Sequence, residues 1–405
     1  MPASKSIANR ELVLSALADG VSHLDLGTLD PGDDVRAMRE ALGALGYGVR
    51  DEGDGRLRIA GGEARPPVGP AVIEAHEGGT VARFGIALAA VGAHATVVDG
   101  SARMRERPIA PLLRALRELG ATVDGDRLPV TVRGPLTGGT VTVPGNESSQ
   151  FASALLLAAP RMANGLVLRL AGATVSAPFL ELTVTALAAR GVRVERPAPG
   201  VFRVSPQRVS ARSLSVPGDV TAATYPAAAA AILGGELTIS NADARLAAGA
   251  QGDARFFALL EAMGCRVRRG AGSITVSRVG TLAGIAANVS DCSDTFPTLA
   301  AVAACATTPT ELSGIGHTRK QESDRVSAVA AALRALGGHV TEFADALRIE
   351  PAPLHGGVVP SAGDHRIAMA FATLGLEVPG VVIDGAECVA KTFPEFYELL
   401  DRLAR

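Results

Sequence analysis

Cations and hydroxyl side chains cluster at a few points along this sequence, each beside an apolar run. Lys5, Ser6 and Arg10 stand just before the apolar residues 12–17. Comparable groups occur at residues 77–83, 103–107, 147–150, 319–325, 364–366 and 391. Free backbone N–H groups and the positive end of the dipole meet at a helix start, so cations and hydroxyls there favour an anion-binding site. The pattern therefore predicts several phosphate- or carboxylate-binding points.

Two carboxylates stand among these cations. Asp294 precedes an apolar helix and Glu322 lies three residues before Arg325. Carboxyl groups in such surroundings can act as general acid and base when their environments separate their pKa values. The sequence has no phosphate-binding loop of the G-x-x-x-x-G-K-[ST] type, no G-x-G-x-x-G after a strand and no paired metal ligands. Nucleotide hydrolysis, hydride transfer and zinc chemistry are therefore disfavoured.

Each of these residues also has an ordinary structural explanation. Ser148 and Asp294 could simply cap helices, Gly79 could form a tight turn, and Glu322 with Arg325 could be a surface ion pair. What favours the functional interpretation is that the groups recur at equivalent points of a repeat.

The repeat is marked by glycines that end amphipathic helices. Five Gly residues recur every 71 to 74 residues, at positions 46, 120, 191, 264 and 337. A second, almost wholly apolar helix is predicted in each period, at residues 12–18, 84–90, 151–158, 227–233, 298–306 and 367–374. Helices that are apolar all round are buried. Six buried helices with polar N-termini at equivalent points are expected to face one common cleft.

Composition narrows the class of protein. At 405 residues, two domains of three repeats each are expected. A net charge of −2 and 3% aromatic residues disfavour nucleic-acid binding. Apolar runs are too short for a membrane span, and the four separate cysteines indicate reduced thiols without a metal site. The motif at Lys5 leaves no room for a leader peptide, so a cytoplasmic protein is expected.

Eight segments in order resemble the enolpyruvyl transferases, and within them the branch that acts on shikimate 3-phosphate. The segments run from the first residues to the last helix and cover residues 4–10, 79–84, 105–109, 148–156, 218–219, 322–325, 364–369 and 391–394. The resemblance is specific because the motifs keep the family's order over nearly the whole chain.

The resemblance implies an α/β fold of two domains, each with three βαβαββ units of buried helices and mixed sheets, closing on substrate at a hinge. The N-terminal domain would comprise residues 4–217 and mainly bind the acceptor. The C-terminal domain would comprise residues 1–3 and 218–405 and carry acid/base and donor-binding residues. Members of the family usually have a strand-forming segment before the lysine motif, so the sixth repeat is expected to be abbreviated here.

The implied reaction transfers the enolpyruvyl group of phosphoenolpyruvate to the 5-hydroxyl of shikimate 3-phosphate with release of phosphate. Lys5, Asp294 and Glu322 would be catalytic. The acceptor would be bound by Lys5, Ser6, Arg10, Ser148, Ser149, Gln150, Ser176 and Asp294. The donor would be bound by Lys5, Gly79, Arg107, Gln150, Arg325, Arg366 and Lys391. No metal or organic cofactor is implied, the partners are small-molecule substrates, and a monomer is expected.

Departures from the family pattern fall on the acceptor side. Gln321 stands where Lys is usual, Phe179 where a Tyr hydroxyl usually meets the acceptor, and Ala177 where Lys or Arg is common. A Gln321→Lys substitution is therefore expected to tighten acceptor binding without changing the donor constant.

Three alternatives remain open. A related transferase of secondary metabolism could use the same donor on a different hydroxylated ring. The cell-wall transferase that acts on UDP-N-acetylglucosamine is disfavoured because residues 101–107 lack its loop cysteine. A non-catalytic metabolite sensor is disfavoured because Lys5, Asp294, Glu322 and Lys391 are intact.

Overall fold

The computed structural model describes residues 1–62, 71–242 and 251–404. The chain divides into two compact units. Residues Ala3–Val216 form the first unit, and Met1–Pro2 with Pro217–Arg405 form the second. The chain thus passes between units beside the lysine motif and just before Gly218.

The first unit contains seven α-helices among its described residues. They are α1 Lys5–Leu17, α2 Asp33–Ala44, α3 Gly79–Ala89, α4 Ala102–Glu106, α5 Ala110–Glu118, α6 Ser149–Ala158 and α7 Ala177–Ala188. A short 3₁₀ helix, Ala159–Arg161, follows α6.

The described part of the second unit contains six α-helices. They are α8 Val220–Leu233, α9 Arg255–Ala262, α10 Phe296–Ala303, α11 Arg325–Ala335, α12 His365–Leu374 and α13 Phe396–Leu403. Its 3₁₀ helices are Gly252–Ala254, Ser293–Thr295, Gly316–Lys320 and Ala386–Lys391. Across both units, no helix of the described residues is long and apolar enough to cross a membrane.

The strands in the described part of the chain form six sheets. In the first unit they are β1 Val21–Asp25, β2 Gly48–Gly53, β3 Arg56–Ala60, β4 Ala71–Glu74, β5 Thr96–Asp99, β6 Thr122–Asp124, β7 Val130–Arg133, β8 Gly139–Pro144, β9 Leu166–Ala171, β10 Glu195–Ala198, β11 Val201–Val204 and β12 Ser213–Ser215. In the second they are β13 Gly235–Ser240, β14 Cys265–Gly270, β15 Ser273–Arg278, β16 Ala286–Asn288, β17 Thr310–Ser313, β18 His339–Glu342, β19 Ala346–Glu350, β20 Gly357–Pro360 and β21 Val381–Asp384.

Four of the sheets have the same mixed topology. One parallel pair is extended by two antiparallel strands, in the orders β12-β1-β3-β2, β4-β5-β7-β6, β8-β9-β11-β10 and β16-β17-β19-β18. In the last three of these sheets the parallel pair is joined by a crossover that contains the buried helix, as a parallel connection requires. In the first sheet the buried helix α1 precedes β1, and β12 comes from the end of the unit. The remaining sheets are the three-stranded β13-β15-β14 and the parallel pair β20-β21.

The six buried helices predicted from the repeat are confirmed as α1, α3, α6, α8, α10 and α12. In each unit the three inner helices pack against one another, and the sheets lie outside them. Nearly every residue of these helices is buried. Since their polar first turns lie at equivalent points of the repeat, the fold repeatedly presents a helix N-terminus next to a strand end.

The glycines that mark the repeat end the outer helices as predicted. Gly46, Gly120, Gly191, Gly264 and Gly337 all have φ between 79° and 102°. This left-handed conformation closes a helix end and strains any residue with a Cβ. The regular spacing in the sequence therefore reflects one backbone requirement met five times.

A fully buried ion pair holds α1 against the end of α7. Arg190 donates to Glu11 Oε2 from Nε at 2.9 Å and from Nη2 at 2.7 Å. The Ser15 hydroxyl accepts from Arg190 Nη2 at 2.7 Å, and Ser22 accepts from Nη1 at 3.2 Å. Neither charged side chain is more than 3% exposed. Because each charge is desolvated, removal of one partner leaves the other uncompensated.

We expect Glu11→Gln to lower the stability of the first unit by about 3 kcal/mol, the cost of a buried charge that loses its partner. Urea unfolding followed by circular dichroism measures the change. The matched control is Glu261→Gln, which breaks the 2.8 Å pair with Arg269, a half-exposed pair expected to contribute less than about 1 kcal/mol. Equal midpoint shifts for the two variants would contradict this account of the buried pair.

Candidate functional site

Lys5 begins α1 and lies against a carboxylate at the start of α2. Its Nζ is 3.0 Å from Oδ2 of Asp34, whose side chain is 5% exposed. A Cβ on Gly78 would come within 3.0 Å of the other oxygen, Oδ1. Asp34 therefore joins the N-termini of α1, α2 and α3. The sequence analysis missed this residue, because Asp33 and Asp34 match the acidic first turn that any helix favours.

Gly79, the first residue of α3, lies beneath two guanidinium groups. A Cβ at this position would come within 2.6 Å of Arg83 Nη1 and 2.9 Å of Arg107 Nη2. Both arginines are buried, and Arg107 Nη1 donates to the Glu77 carbonyl at 3.3 Å. Two guanidinium groups thus approach the backbone at a helix N-terminus. Only a residue without a side chain permits this close approach, which suits an anion such as a carboxylate or phosphate.

Neighbouring groups fix the position of Arg83. Its Nη1 donates to Gln150 Oε1 at 2.8 Å, and its Nη2 donates to the Pro108 carbonyl at 2.8 Å. The guanidinium also lies 5.4 Å from the centre of the Phe151 ring. Gln150 is in turn held by its backbone N–H, which donates to the Ser148 hydroxyl at 3.2 Å. Arg83 therefore brings Gln150 close to Gly79, as expected if Gln150 contacts both the acceptor and the donor.

Arg10 is buried in α1 and held by neutral groups. Its Nε donates to Thr183 Oγ1 at 2.8 Å, and its Nη groups donate to the carbonyls of Ser6 at 2.7 Å and Phe179 at 2.9 Å. Burial lowers the pKa of Arg10 to about 9. A buried cation held only by oxygen dipoles in these contacts is strongly attracted to an additional anionic ligand.

The predicted acceptor serines lie at the starts of three helices. Ser6 is in the first turn of α1, Ser148 caps α6, and Ser149 is the buried first residue of α6. Ser176 precedes α7 in a left-handed conformation, with φ of 51°, and its side chain makes no capping bond. A non-glycine residue in this region is strained, which is a common property of ligand-contacting positions.

In the second unit, the fully buried guanidinium of Arg325 contacts three carboxylates. Nη1 lies 3.0 Å from Asp294 Oδ1, Nη2 lies 2.9 Å from Glu322 Oε2, and Nε lies 2.8 Å from Asp364 Oδ2. Burial alone would lower the pKa of Arg325, but the carboxylates of Asp364, Glu322 and Asp294 raise it above its ordinary value. Arg325 therefore stays charged and fixes the positions of all three acidic side chains.

Two further cations bind the same carboxylates. Arg366 Nη2 donates to Asp294 Oδ2 at 2.7 Å, and Lys391 Nζ donates to Glu322 Oε1 at 3.1 Å. Burial would lower the pKa of Arg366, and the facing Asp294 raises it. Asp294 and Glu322 are thus each held between two cations. The sequence analysis assigned no role to Asp364, which both caps α12 and binds Arg325.

Gln321 and His317 occupy the edge of this cluster. Gln321 Oε1 accepts a short hydrogen bond from Arg325 Nη1. His317 Nε2 lies 2.9 Å from the Ser293 hydroxyl, beside Asp294. Burial lowers the pKa of His317. The amide of Gln321 therefore faces the buried Arg325, a contact that residue type alone did not indicate.

The predicted placement of cations at helix starts is confirmed for four residues and wrong for two. Lys5 and Arg325 are first residues of helices, Arg366 is the second residue of α12, and Arg83 lies one turn into α3. Arg107 follows α4 instead, and Lys391 ends the 3₁₀ helix Ala386–Lys391. The next helices begin only at Ala110 and Phe396, so the local sequence around these two cations does not start a helix.

The sequence analysis gave four purely structural explanations for candidate site residues, and one of them is confirmed. Ser148 does cap its helix. The Asp294 carboxylate pairs with Arg325 and Arg366, and the N-cap of α10 is Thr295, which makes no side-chain cap. Gly79 begins a helix rather than forming a turn, and the pair of Glu322 with Arg325 is buried.

Chemically, each unit combines pre-positioned cations with hydrogen-bonding groups. The first unit offers two guanidinium groups over Gly79 and an ammonium held by Asp34. The second offers three cations alternating with three carboxylates, an arrangement that can bind an anion and transfer protons beside it. Within the described residues, no three side chains of His, Cys, Asp or Glu are grouped so that they could hold a metal ion.

Comparisons with known proteins agree on one family. The model of the family described as EPSP synthase (3-phosphoshikimate 1-carboxyvinyltransferase) matches residues 1–400. A 3-phosphoshikimate 1-carboxyvinyltransferase of Methanosphaerula palustris is 44% identical over 98% of this chain and 95% of the relative. That of Methanoregula boonei is 39% identical over 99% of this chain and 96% of the relative.

A solved structure supports the same assignment. EPSP synthase from Acinetobacter baumannii aligns with a TM-score of 0.81 and 27% identity, over 100% of this chain and 94% of that chain. Sequence matches along almost the whole length, together with the repeated βαβαββ architecture, place the chain in a single family. This chain belongs to the EPSP synthase family of enolpyruvyl transferases.

Proposed function

We propose that this chain transfers the enolpyruvyl group of phosphoenolpyruvate to the 5-hydroxyl of shikimate 3-phosphate and releases inorganic phosphate. The observation that carries the proposal is the family match over residues 1–400, with relatives of 39–44% identity that are named for this activity. The relatives do not favour the alternative, a transferase acting on a different hydroxylated ring.

The donor is a small anion with a phosphate and a carboxylate, and we assign it to the pre-positioned cations. In the first unit these are Lys5 and Arg107, with Gly79 and Gln150 as neighbours. In the second unit they are Arg325, Arg366 and Lys391. In the unliganded chain the second set is neutralised by carboxylates, so the donor replaces existing ion-pair partners rather than binding exposed charges.

The acid/base work is assigned to Asp294, Glu322 and Lys5. A base removes the proton of the 5-hydroxyl as its oxygen attacks C2 of the donor, and an acid protonates the methylene carbon. Loss of a proton from that carbon and departure of phosphate then complete the transfer. Asp294 and Glu322 suit these roles because cations fix both carboxylates and hold them in a defined orientation.

The acceptor is assigned to Ser6, Arg10, Ser148, Ser149, Gln150 and Ser176 of the first unit, with Lys5 and Asp294. Arg10 supports this assignment because its buried charge is held by hydroxyl and carbonyl oxygens. Phe179 contributes its carbonyl to Arg10, so the missing phenol hydroxyl leaves this contact intact.

The chemistry needs no organic cofactor, since proton transfers and phosphate departure require only acids, bases and cations. Every assigned residue comes from one chain, so we propose an active monomer. We further propose a cytoplasmic location, because Cys265, Cys292 and Cys305 are thiols rather than disulfides.

The proposal is tested by phosphate release with purified protein, phosphoenolpyruvate and shikimate 3-phosphate. Release should require both substrates and should be lost in Glu322→Gln, which keeps the shape of the side chain and removes its charge. Shikimate without its 3-phosphate serves as the acceptor control. Release with an unrelated hydroxylated ring but not with shikimate 3-phosphate would contradict the proposed acceptor.

We expect Gly79→Ala to raise the KM for phosphoenolpyruvate at least about tenfold, equivalent to about 1.4 kcal/mol. The new methyl group would collide with Arg83 Nη1, which cannot move away because Gln150 and the Pro108 carbonyl hold it. Steady-state kinetics at saturating shikimate 3-phosphate measure the effect. Gly43→Ala is the control, because a Cβ there meets nothing within 4 Å. An unchanged donor KM in Gly79→Ala would remove Gly79 from the donor site.

Gln321→Lys should raise the donor KM by about tenfold or more, since an ammonium replaces the oxygen that accepts from Arg325. This differs from the expectation based on sequence alone, in which only acceptor binding improves. Gln321→Met separates the two causes, because it removes the acceptor oxygen without adding charge and should have a smaller effect. Tighter acceptor binding with an unaltered donor KM in Gln321→Lys would favour the sequence-based expectation.

A further inference from the structure

A fourth acidic side chain, Asp253, is buried near Asp294 and has no role in the proposed chemistry. Asp253 is in the 3₁₀ helix Gly252–Ala254, immediately before α9, and is 1% exposed. This turn packs against α8 and against the 3₁₀ helix Ser293–Thr295 that carries Asp294. Asp253 is thus enclosed by the elements that position the catalytic carboxylate.

Only one oxygen of Asp253 is satisfied. Oδ2 accepts a short hydrogen bond from the Thr221 hydroxyl in the first turn of α8. Among the described residues, Oδ1 has no hydrogen-bond partner although it is inaccessible to solvent. An ionised carboxylate with an unpaired buried oxygen is costly, whereas the protonated acid reduces that cost by losing its charge.

The charged groups around Asp253 act in both directions. Asp294 on the adjacent turn and Asp219 before α8 disfavour its ionisation, while Arg366 on α12 favours it. The thiol of Cys292 is also close enough for Asp253 to help raise the pKa of Cys292. Burial first, and Asp294 second, raise the pKa of Asp253 to about 7. The proton is therefore held up to neutral pH.

The charge state of Asp253 changes the electrostatic balance of the donor-binding cluster. With Asp253 protonated, Arg325, Arg366 and Lys391 face an equal number of carboxylates, those of Asp294, Glu322 and Asp364. With Asp253 ionised, one additional negative charge attracts Arg366 and repels an incoming anion. In a buried site of low dielectric, a single charge changes anion affinity substantially.

We infer that Asp253 is a positioning residue that supports donor binding in its protonated form: its proton leaves Arg366 available to phosphoenolpyruvate, and its ionisation weakens donor binding. The inference rests on the proposed function. It assigns to Asp253 an effect on the donor KM and little effect on kcat, because Asp253 acts through Arg366 and Asp294 rather than on the reacting atoms.

The test compares the donor KM of the wild type and Asp253→Asn from pH 6 to pH 8.5 at saturating shikimate 3-phosphate. Asparagine has the shape and neutrality of the protonated acid. The ratio of wild-type to variant KM cancels the titration of phosphoenolpyruvate itself. We expect a ratio of about one at pH 6 that rises at least about fivefold by pH 8.5, with kcat values within about twofold, since a group of pKa near 7 ionises in this interval.

Two further variants make the test specific. Asp384→Asn removes an exposed carboxylate of the same unit and should leave the wild-type profile unchanged. Thr221→Val removes the hydroxyl that stabilises ionised Asp253, so the rise in donor KM should move to higher pH. If Asp253→Asn does not fold, the pH at which the donor KM rises in Thr221→Val, compared with the wild type, tests the inference on its own.

Stability gives a readout that does not depend on activity. A carboxyl group whose pKa is raised on folding is most stabilising at low pH, and its contribution falls as pH rises through about 4 to 7. The urea midpoint of the wild type should therefore fall relative to Asp253→Asn over that range and level off above it.

The outcomes separate the inference from the proposed function. Wild-type protein without activity on the two substrates counts against the proposed function, while the relative midpoints still decide whether Asp253 carries a proton at neutral pH. An active wild type with a constant KM ratio, or a kcat lost in Asp253→Asn at every pH, overturns the inference.

Discussion

The second unit depends on the interaction of one buried guanidinium with three carboxylates. Arg325 is inaccessible to solvent and contacts Asp294, Glu322 and Asp364 within 2.8–3.0 Å. These carboxylates come from the turn before α10, from the segment before α11 and from the start of α12. Desolvated charges of one sign would repel one another and separate these elements, so the cation at their centre is a condition of the fold and, in the proposed mechanism, of the chemistry. Arg366 and Lys391 then bind the outer oxygens of Asp294 and Glu322.

In the first unit, backbone and amide oxygens contribute to the positions of two guanidinium groups. Arg83 and Arg107 lie over the start of α3, and their positions depend on carbonyl and amide oxygens and on the absence of a side chain at Gly79. Lys5 is held by a carboxylate, that of Asp34. In the second unit, cations that are paired with carboxylates would have to release those partners when an anion binds. These positioning contacts therefore differ in kind between the two units.

Much of the fold could be predicted from the sequence because one structural requirement recurs. A left-handed glycine after each outer helix and an apolar inner helix produce a period that is visible without coordinates, and both were found where expected. Arg10, Arg325 and Arg366, which the sequence analysis singled out, are all buried in the structure, since residue type and local position carry that information. The sequence could not indicate the partners. Asp34 is 29 residues from Lys5, Asp364 is 39 residues from Arg325, and Asp253 acts through packing between turns. Such pairings depend on tertiary structure. Local sequence also misplaced Arg107 and Lys391, which lie at the ends of short helices rather than at the starts of new ones.

The central claim is that Arg325 holds the second unit's carboxylates in place for both stability and catalysis. The most direct measurement compares the urea midpoint and kcat/KM of Arg325→Met with those of Arg325→Met/Asp364→Asn. The single variant leaves buried carboxylates unpaired and should lose about 3–5 kcal/mol of stability and nearly all activity. The double variant removes one of those charges while keeping a side chain that can cap α12, so it should recover part of the midpoint and none of the activity. Wild-type stability or a wild-type kcat/KM in Arg325→Met would contradict the account.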